Sequence, residues 1–152
     1  MERSLTVADY QALAELRYQI RKFLHFSEEA ARRSGLEPRQ HQLMLSLKGL
    51  PHGVRPSITE LAQRLQIQHH SAVELVNRLA RGGYVRRERA GEDRRAVLLT
   101  LTRKGERILK ELSLDHRAEL RVQGPALIAA LRRTIPMSKN RKGSFSRAAS
   151  KT

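Results

Sequence analysis

The sequence contains neither cysteine nor tryptophan. Without thiols the chain can form no disulfide, hold no metal through thiolate, use no cysteine nucleophile and sense no oxidant by thiol oxidation. Aromatic residues make up 4% of the 152 positions, too few for a platform on which single-stranded bases could stack. No apolar run approaches the roughly 20 residues that a membrane-spanning helix needs. The N-terminus lacks the apolar stretch of a secretory signal, so a soluble, cytoplasmic protein is expected. Acidic residues are also scarce: 15 Asp and Glu stand against 30 Lys and Arg, a net charge of +15. An excess of that size favours a polyanionic partner, nucleic acid before an anionic membrane surface.

Helical periodicity dominates what is present. From Thr6 to Arg33, Tyr10, Leu13, Leu16, Ile20, Phe23 and Leu24 recur at three- and four-residue steps, predicting a long amphipathic helix that Ser34-Gly35 ends. Pro38 suits the first turn of a second helix with Leu43, Met44 and Leu47 inward, closed by Gly49 and Pro51. Ser57-Ile58-Thr59-Glu60 reads as a capping box opening a short helix with Ile58, Leu61, Ala62 and Leu65 inward. After a break at Gln66-Ile67-Gln68 the period resumes with Ala72, Leu75, Val76 and Leu79, until Gly82-Gly83 stops it. Two short helices around a tight turn form a helix-turn-helix pattern.

The period then changes. Tyr84 to Glu88 is strand-like, and Val97, Leu99 and Leu101 alternate on a second strand. Ala90-Gly91-Glu92-Asp93-Arg94 supplies the turn of a hairpin that carries Arg86, Arg87, Arg89, Arg94 and Arg95. Thr102 caps a further helix with Ile108, Leu109, Leu112, His116 and Leu120. Gly124-Pro125 is expected to break it, leaving a last short helix with Leu127, Ile128, Leu131 and Ile135. The last 17 residues hold five basic residues, four serines and no acid, and read as a basic, disordered tail over 136–152. The rest still carries a net +10, so the basic excess does not belong to the tail alone.

The fold class expected is mainly α with a small β-hairpin wing: a winged helix-turn-helix over about 56–101, flanked by helical regions over about 5–50 and 102–135, all within one domain spanning 1–135. More apolar surface lies on the terminal helices than a small winged core could cover, which predicts a homodimer.

Leu61-Ala62-Gln63-Arg64-Leu65, the run from His70 to Leu79, Gly83-Tyr84-Val85-Arg86-Arg87, and Asp93-Arg94-Arg95 leading to Leu99-Thr100-Leu101-Thr102 resemble the MarR family of bacterial transcription regulators. The resemblance extends over about Thr6 to Ile135. It implies a homodimer whose first, fifth and sixth helices intertwine across a two-fold axis above two winged lobes. It further implies binding to a pseudo-palindromic DNA operator, repression, and release by a small aromatic or anionic effector. Gln68 stands where the family often has Ser at the start of the recognition helix. Glutamine caps poorly, so Ser71 or the preceding turn is expected to compensate.

On the second helix of the motif, the face opposite Ala72, Leu75, Val76 and Leu79 offers Gln68, His69, His70, Ser71, Val73, Glu74, Asn77 and Arg78 to DNA. Gln and Asn can pair with adenine, Glu can accept from cytosine and Val73 can touch a thymine methyl, although the same residues also suit an ordinary solvated face. Arg78 is better placed for a phosphate or an internal ion pair than for a base. Ser57, at its helix start, is expected at the DNA backbone. In the wing, the match to the family's Asp-x-Arg signature implies Arg95 in or beside the minor groove and Asp93 bracing it. Arg94 joins Arg95 as a candidate DNA contact of the wing, although both also suit an ordinary solvated tip; Arg86 and Arg87 are candidate phosphate contacts, with one of them free to pair with Glu88 instead. Tyr18, His25 and His41 fall near the effector cleft that the resemblance implies, where packing competes as their use.

Neighbouring His69 and His70 diverge by about 100° on a helix, and the other four histidines are scattered, so neither a metal nor any cofactor is expected. Neither an acid–base pair nor a phosphate-cradling glycine loop is visible, which leaves an enzyme without support. A basic RNA- or ribosome-associated protein is the alternative; the shortage of aromatics and the wing weigh against it.

Overall fold

The computed structural model describes residues 4–91 and 93–135; within that range the side chains of residues 90 and 93–96 are also left undescribed. The elements run α1 (Val7–Arg33), α2 (Pro38–Lys48), α3 (Ile58–Leu65), α4 (His69–Arg81), β1 (Val85–Ala90), β2 (Asp93–Leu101) and α5 (Arg103–Thr134). The fold is mainly helical, with a single antiparallel hairpin among the described residues.

Local chemistry sets most of the boundaries. Thr6 accepts from the Asp9 amide while the Asp9 carboxylate takes the Thr6 amide at 2.8 Å, a reciprocal cap for α1. Pro38 opens α2 and Gly49 closes it. Ser57 accepts from the Glu60 amide at 3.2 Å, but Glu60 does not complete the expected box; its carboxylate binds Arg64 at 2.9 Å instead. An arginine one turn on is a charged donor, a stronger partner for the carboxylate than a neutral amide.

The turn between α3 and α4 is tight because Gln66 adopts φ 54°, ψ 44°, letting the Gln66 and Ile67 amides close onto the end of α3. At the start of α4, Gln68 makes no side-chain cap, and neither Ser71 nor another described side chain supplies the expected compensation. The amides of the first turn of α4 are therefore left without an intrahelical partner, as at any helix start.

The hairpin is longer than the alternation predicts. Its strands pair from Val85↔Leu101 to Arg89↔Val97, with an irregularity before Ala90↔Asp93. Residues 90 and 93, expected in the turn, thus belong to strands, and Gly91 at φ 43° provides the reversal. On its other edge β2 meets the segment before α3, through the Leu99 amide to the Pro56 carbonyl at 2.9 Å and a bridge between Ser57 and Leu98.

The core gathers Leu43, Met44 and Leu47 of α2, Leu61 of α3, Leu75, Val76 and Leu79 of α4, Val85, Leu99 and Leu101 of the hairpin, and Leu109 and Leu112 of α5. Ala30 and Ala31, at the end of α1, close it from one side.

The expected break in the last helix is also corrected. Gly124-Pro125 does not divide the last helix: α5 runs unbroken for 32 residues with Pro125 inside it, so the described chain has five helices where six were expected. Proline removes one intrahelical donor and crowds the residue before it. Gly124, directly before the proline, has no Cβ for the ring to crowd. Beyond the proline, α5 continues along α1, where Ala130 is buried and the Thr134 hydroxyl reaches the Ala12 carbonyl at 3.5 Å. Packing on α1 holds the helix together where local propensity would end it.

Candidate nucleic-acid interface

The four buried positions of α4, Ala72, Leu75, Val76 and Leu79, turn its opposite face outward. His69, His70, Glu74, Asn77 and Arg78 are exposed, with Ser71 and Val73 half-buried beside them. Hairpin and helix are joined at this face: Nη2 of Arg87, on β1, donates to Oδ1 of Asn77. Asn77, Arg87, Ala80 and Arg81 line an open cleft of about 460 Å³. Arg81 lies on the same outward face, one turn beyond Asn77.

Several predicted contacts are engaged within the chain. Arg78 makes an ion pair with Glu37 at the start of α2, at 2.9 Å and 3.0 Å to the two carboxylate oxygens. Arg86 lies 3.9 Å from Glu88, the weak surface pairing foreseen for one of the two arginines. Both pairs are exposed and contribute little to stability; they leave the arginines able to exchange partners. Ser57 caps α3 and is half-buried beside β2. Asp93, Arg94 and Arg95 form the first part of β2, but their side chains lie outside the described residues.

The residues expected near an effector cleft separate. Tyr18 is exposed on α1, with the Lys22 ammonium 5.5 Å from its ring centroid. His25 borders a shallow groove between α1 and α5 with Lys22, Phe26, Glu29 and Gln123. His41 is buried, its ring 4.9 Å from that of His116, and burial together with the neighbouring His116 lowers its pKa to about 4. His116 in turn bonds the Leu112 carbonyl at 2.6 Å and the Ser27 hydroxyl at 2.8 Å, and packs edgewise on Phe23 and Phe26. A carbonyl only accepts, so Nδ1 of His116 carries the proton and, in the neutral ring, Nε2 accepts from Ser27. The two histidines tie α1, α2 and α5 together and are not free to meet a ligand.

A cleft that the sequence did not reveal lies between α2 and α5. It measures about 410 Å³, with Leu45 and Leu109 on its walls and Lys48, Arg107 and Lys110 around them; Lys48 is bonded to Glu106 at 2.8 Å. Its only trace in the sequence is the basic pair at positions 107 and 110, one turn apart beside Leu109. Among the described residues, no three His, Asp or Glu side chains converge as a metal would require, and no helix is long and apolar enough to cross a membrane.

A helix-turn-helix whose second helix is flanked by an arginine-rich hairpin defines the winged helix-turn-helix class. Residues 34–96 match the family model described as MarR family. Solved structures extend the likeness in fold over more of the chain. AbsC, a MarR family transcriptional regulator from Streptomyces coelicolor, is 22% identical, with 88% of this chain and 93% of that one covered at a TM-score of 0.70. A MarR family protein from Bacillus stearothermophilus is 23% identical over 77% of this chain and 80% of that one, at 0.65. A mutant MarR from E. coli, complexed with operator DNA, is 20% identical over 79% and 90%, at 0.58. No curated protein sequence matches the chain. The MarR-family resemblance carried by the helix-turn-helix and wing motifs therefore holds, in sequence over 34–96 and in fold over most of the chain.

Proposed function

We propose that this chain is a sequence-specific, double-stranded-DNA-binding transcription regulator, working as a homodimeric repressor that a small aromatic or anionic ligand releases. The observation that carries the reading is the outward face of α4: polar and cationic, open, uncapped at its N-terminus and flanked by the arginines of β1. A helix presented in this way enters a major groove with its first turns toward the bases, while the wing follows the backbone and the adjacent minor groove. The E. coli MarR with this fold was solved on operator DNA, which supports the same use here. The base readers would come from Gln68, His69, His70, Ser71, Val73, Glu74 and Asn77. Ser57, Arg86, Arg94 and Arg95 would lie on the backbone or in the minor groove.

The homodimer is supported by apolar surface that the chain does not cover. On α1, Val7, Tyr10, Leu13, Ile20 and Leu24 are exposed; on α5, so are Leu120, Val122, Ile128 and Leu131. All but Leu24 belong to the first half of α1, through its midpoint at Ile20, and the second half of α5, away from the main core, where a second copy would bury them. Residues 1–135 would then form one domain, with α1 and α5 as its dimerisation part, and 136–152 a basic extension.

The cleft between α2 and α5 suits the ligand: apolar walls for a ring and a cationic rim for a carboxylate. Such a ligand releases DNA only by the difference in its affinity for the DNA-fitting and misfitting dimers.

Footprinting with the full chain on DNA upstream of its own coding region, at two salt concentrations and with excess competitor, tests the reading. A protected pseudo-palindrome that survives competitor, and a dimer by sedimentation, are expected. Binding that competitor abolishes equally for every sequence would leave only the electrostatic attraction of a basic protein, and structured RNA would then be the partner to test.

A further inference from the structure

Asn77 sits near the centre of the outward face of α4, and one lone pair of its amide oxygen is already taken by Arg87. A guanidinium has donors and no acceptor, so the contact decides which way the amide faces: its oxygen toward Arg87, its NH2 away. Arg81 and Arg87, the other polar side chains lining the cleft with Asn77, likewise only donate. A cleft of this kind welcomes acceptors and offers a donor only the second lone pair of the Asn77 oxygen.

This matters for base choice. A free asparagine pairs bidentately with adenine, accepting from N6 and donating to N7. The Asn77 oxygen keeps a second lone pair, but Arg87 sits against it, so an adenine N6 amino group brought there would also meet the guanidinium donors, whereas the bond from the amide NH2 to N7 is unhindered. Guanine presents N7 and O6 in the same place, both acceptors. We propose that Arg87 is a positioning residue that holds Asn77 as a hydrogen-bond donor, so that this part of α4 selects guanine over adenine. The inference rests on the DNA-binding reading above and adds to it a base and a mechanism of choice. A phosphate oxygen is also an acceptor, so the test must separate base from backbone.

The experiment is selection from a pool of randomised duplexes, with the full-length wild type, Arg87→Lys, Arg87→Ala and Asn77→Ala, each checked for unchanged thermal unfolding. Both positions are exposed, so folding should be retained. Wild type and Arg87→Lys, which still donates, should share guanine at one symmetry-related pair of positions. Arg87→Ala should shift those positions toward adenine by roughly five-fold or more, the discrimination a bidentate pair supplies. Asn77→Ala should flatten them and leave the other positions intact. The proposal is overturned if wild type selects adenine there. It is equally overturned if Arg87→Ala weakens every sequence alike, with a shallower salt dependence and unchanged base preference, because Arg87 then holds phosphate. If wild type enriches no sequence at all, the DNA-regulator reading itself fails, a result distinct from either.

Discussion

Gly105 is the position where one added methyl group should do most damage. It is the third residue of α5, buried, and its amide donates to the capping Thr102 hydroxyl at 3.1 Å. A Cβ built on it would stand 2.2 Å from the Tyr84 carbonyl oxygen, 3.1 Å from the Tyr84 carbonyl carbon and 3.4 Å from Leu101 Cδ2. An ordinary carbon–oxygen contact needs about 3.3 Å, so Gly105→Ala must part the two backbones by roughly 1 Å. They cannot part freely. The Tyr84 carbonyl already accepts from the Thr102 amide at 3.0 Å, Thr102 Oγ1 donates to the Gly83 carbonyl at 2.6 Å, and Lys104 donates to the Gly82 carbonyl at 2.8 Å. Overpacking costs about 1–3 kcal/mol, and one or two weakened hydrogen bonds add about 1 kcal/mol each. The better helix propensity of alanine returns up to about 1 kcal/mol. A net destabilisation of about 2–3 kcal/mol is expected, lowering the urea midpoint by about 1–2 M at fixed protein concentration with little change in slope. A midpoint within about 0.3 M of wild type would refute the close approach of α5 to the turn between α4 and β1.

Further outcomes follow from single contacts. Pro125→Ala restores an amide inside α5 and should stabilise the chain by about 1–3 kcal/mol, read as a higher thermal midpoint. His41 has its pKa lowered from 6.5 to about 4, so stability is unaffected above 6.5, falls as the unfolded state takes up a proton between 6.5 and 4, and levels off below; the loss reaches about 3 kcal/mol. Urea titrations over that pH range should show the fall, and His41→Leu should remove that part of it. Ser57→Ala deletes the cap of α3 and should cost about 1 kcal/mol by the same titration. Arg78→Ala breaks an exposed ion pair and should cost less than about 1 kcal/mol, diminishing with salt.

The features legible in the sequence are those written by neighbours along the chain. Thr6, Pro38, Ser57 and Thr102 mark helix starts because a cap acts over three residues, and the outward face of α4 follows from a 3.6-residue period. The features it hid depend on residues far apart. The continuity of α5 through Pro125 is decided by α1, and local rules there point the wrong way. His41 is buried against His116, 75 residues further on, a contact that no spacing announces. Candidate contacts on α4 were visible as residue types, but that Asn77 faces Arg87 and Arg78 faces Glu37 depends on how β1 and α2 lie against α4.

The same contacts constrain how a ligand could act on DNA. Only Thr102 separates β2 from α5, and the first turn of α5 is bonded to the turn that links α4 to β1. On the far side, the buried core joins α2, α4 and α5 through Met44, Leu79 and Leu112, and the His41–His116 contact ties α2 to α5. Helix-turn-helix, hairpin and the start of α5 are therefore fastened to one another from both sides, so a change within this lobe is a costly way to release DNA. Rotation of whole lobes in the proposed dimer leaves these bonds intact and alters only the spacing of the two α4 helices, which an operator reads against its roughly 34 Å repeat. Such a rotation must bend or pivot α5 beyond the lobe. The backbone there is weakest around Pro125, where one intrahelical hydrogen bond is missing. By this reasoning Pro125→Ala, while stabilising the fold, should blunt any ligand-induced release of DNA measured by fluorescence anisotropy. Full release at unchanged ligand concentration would place the pivot elsewhere.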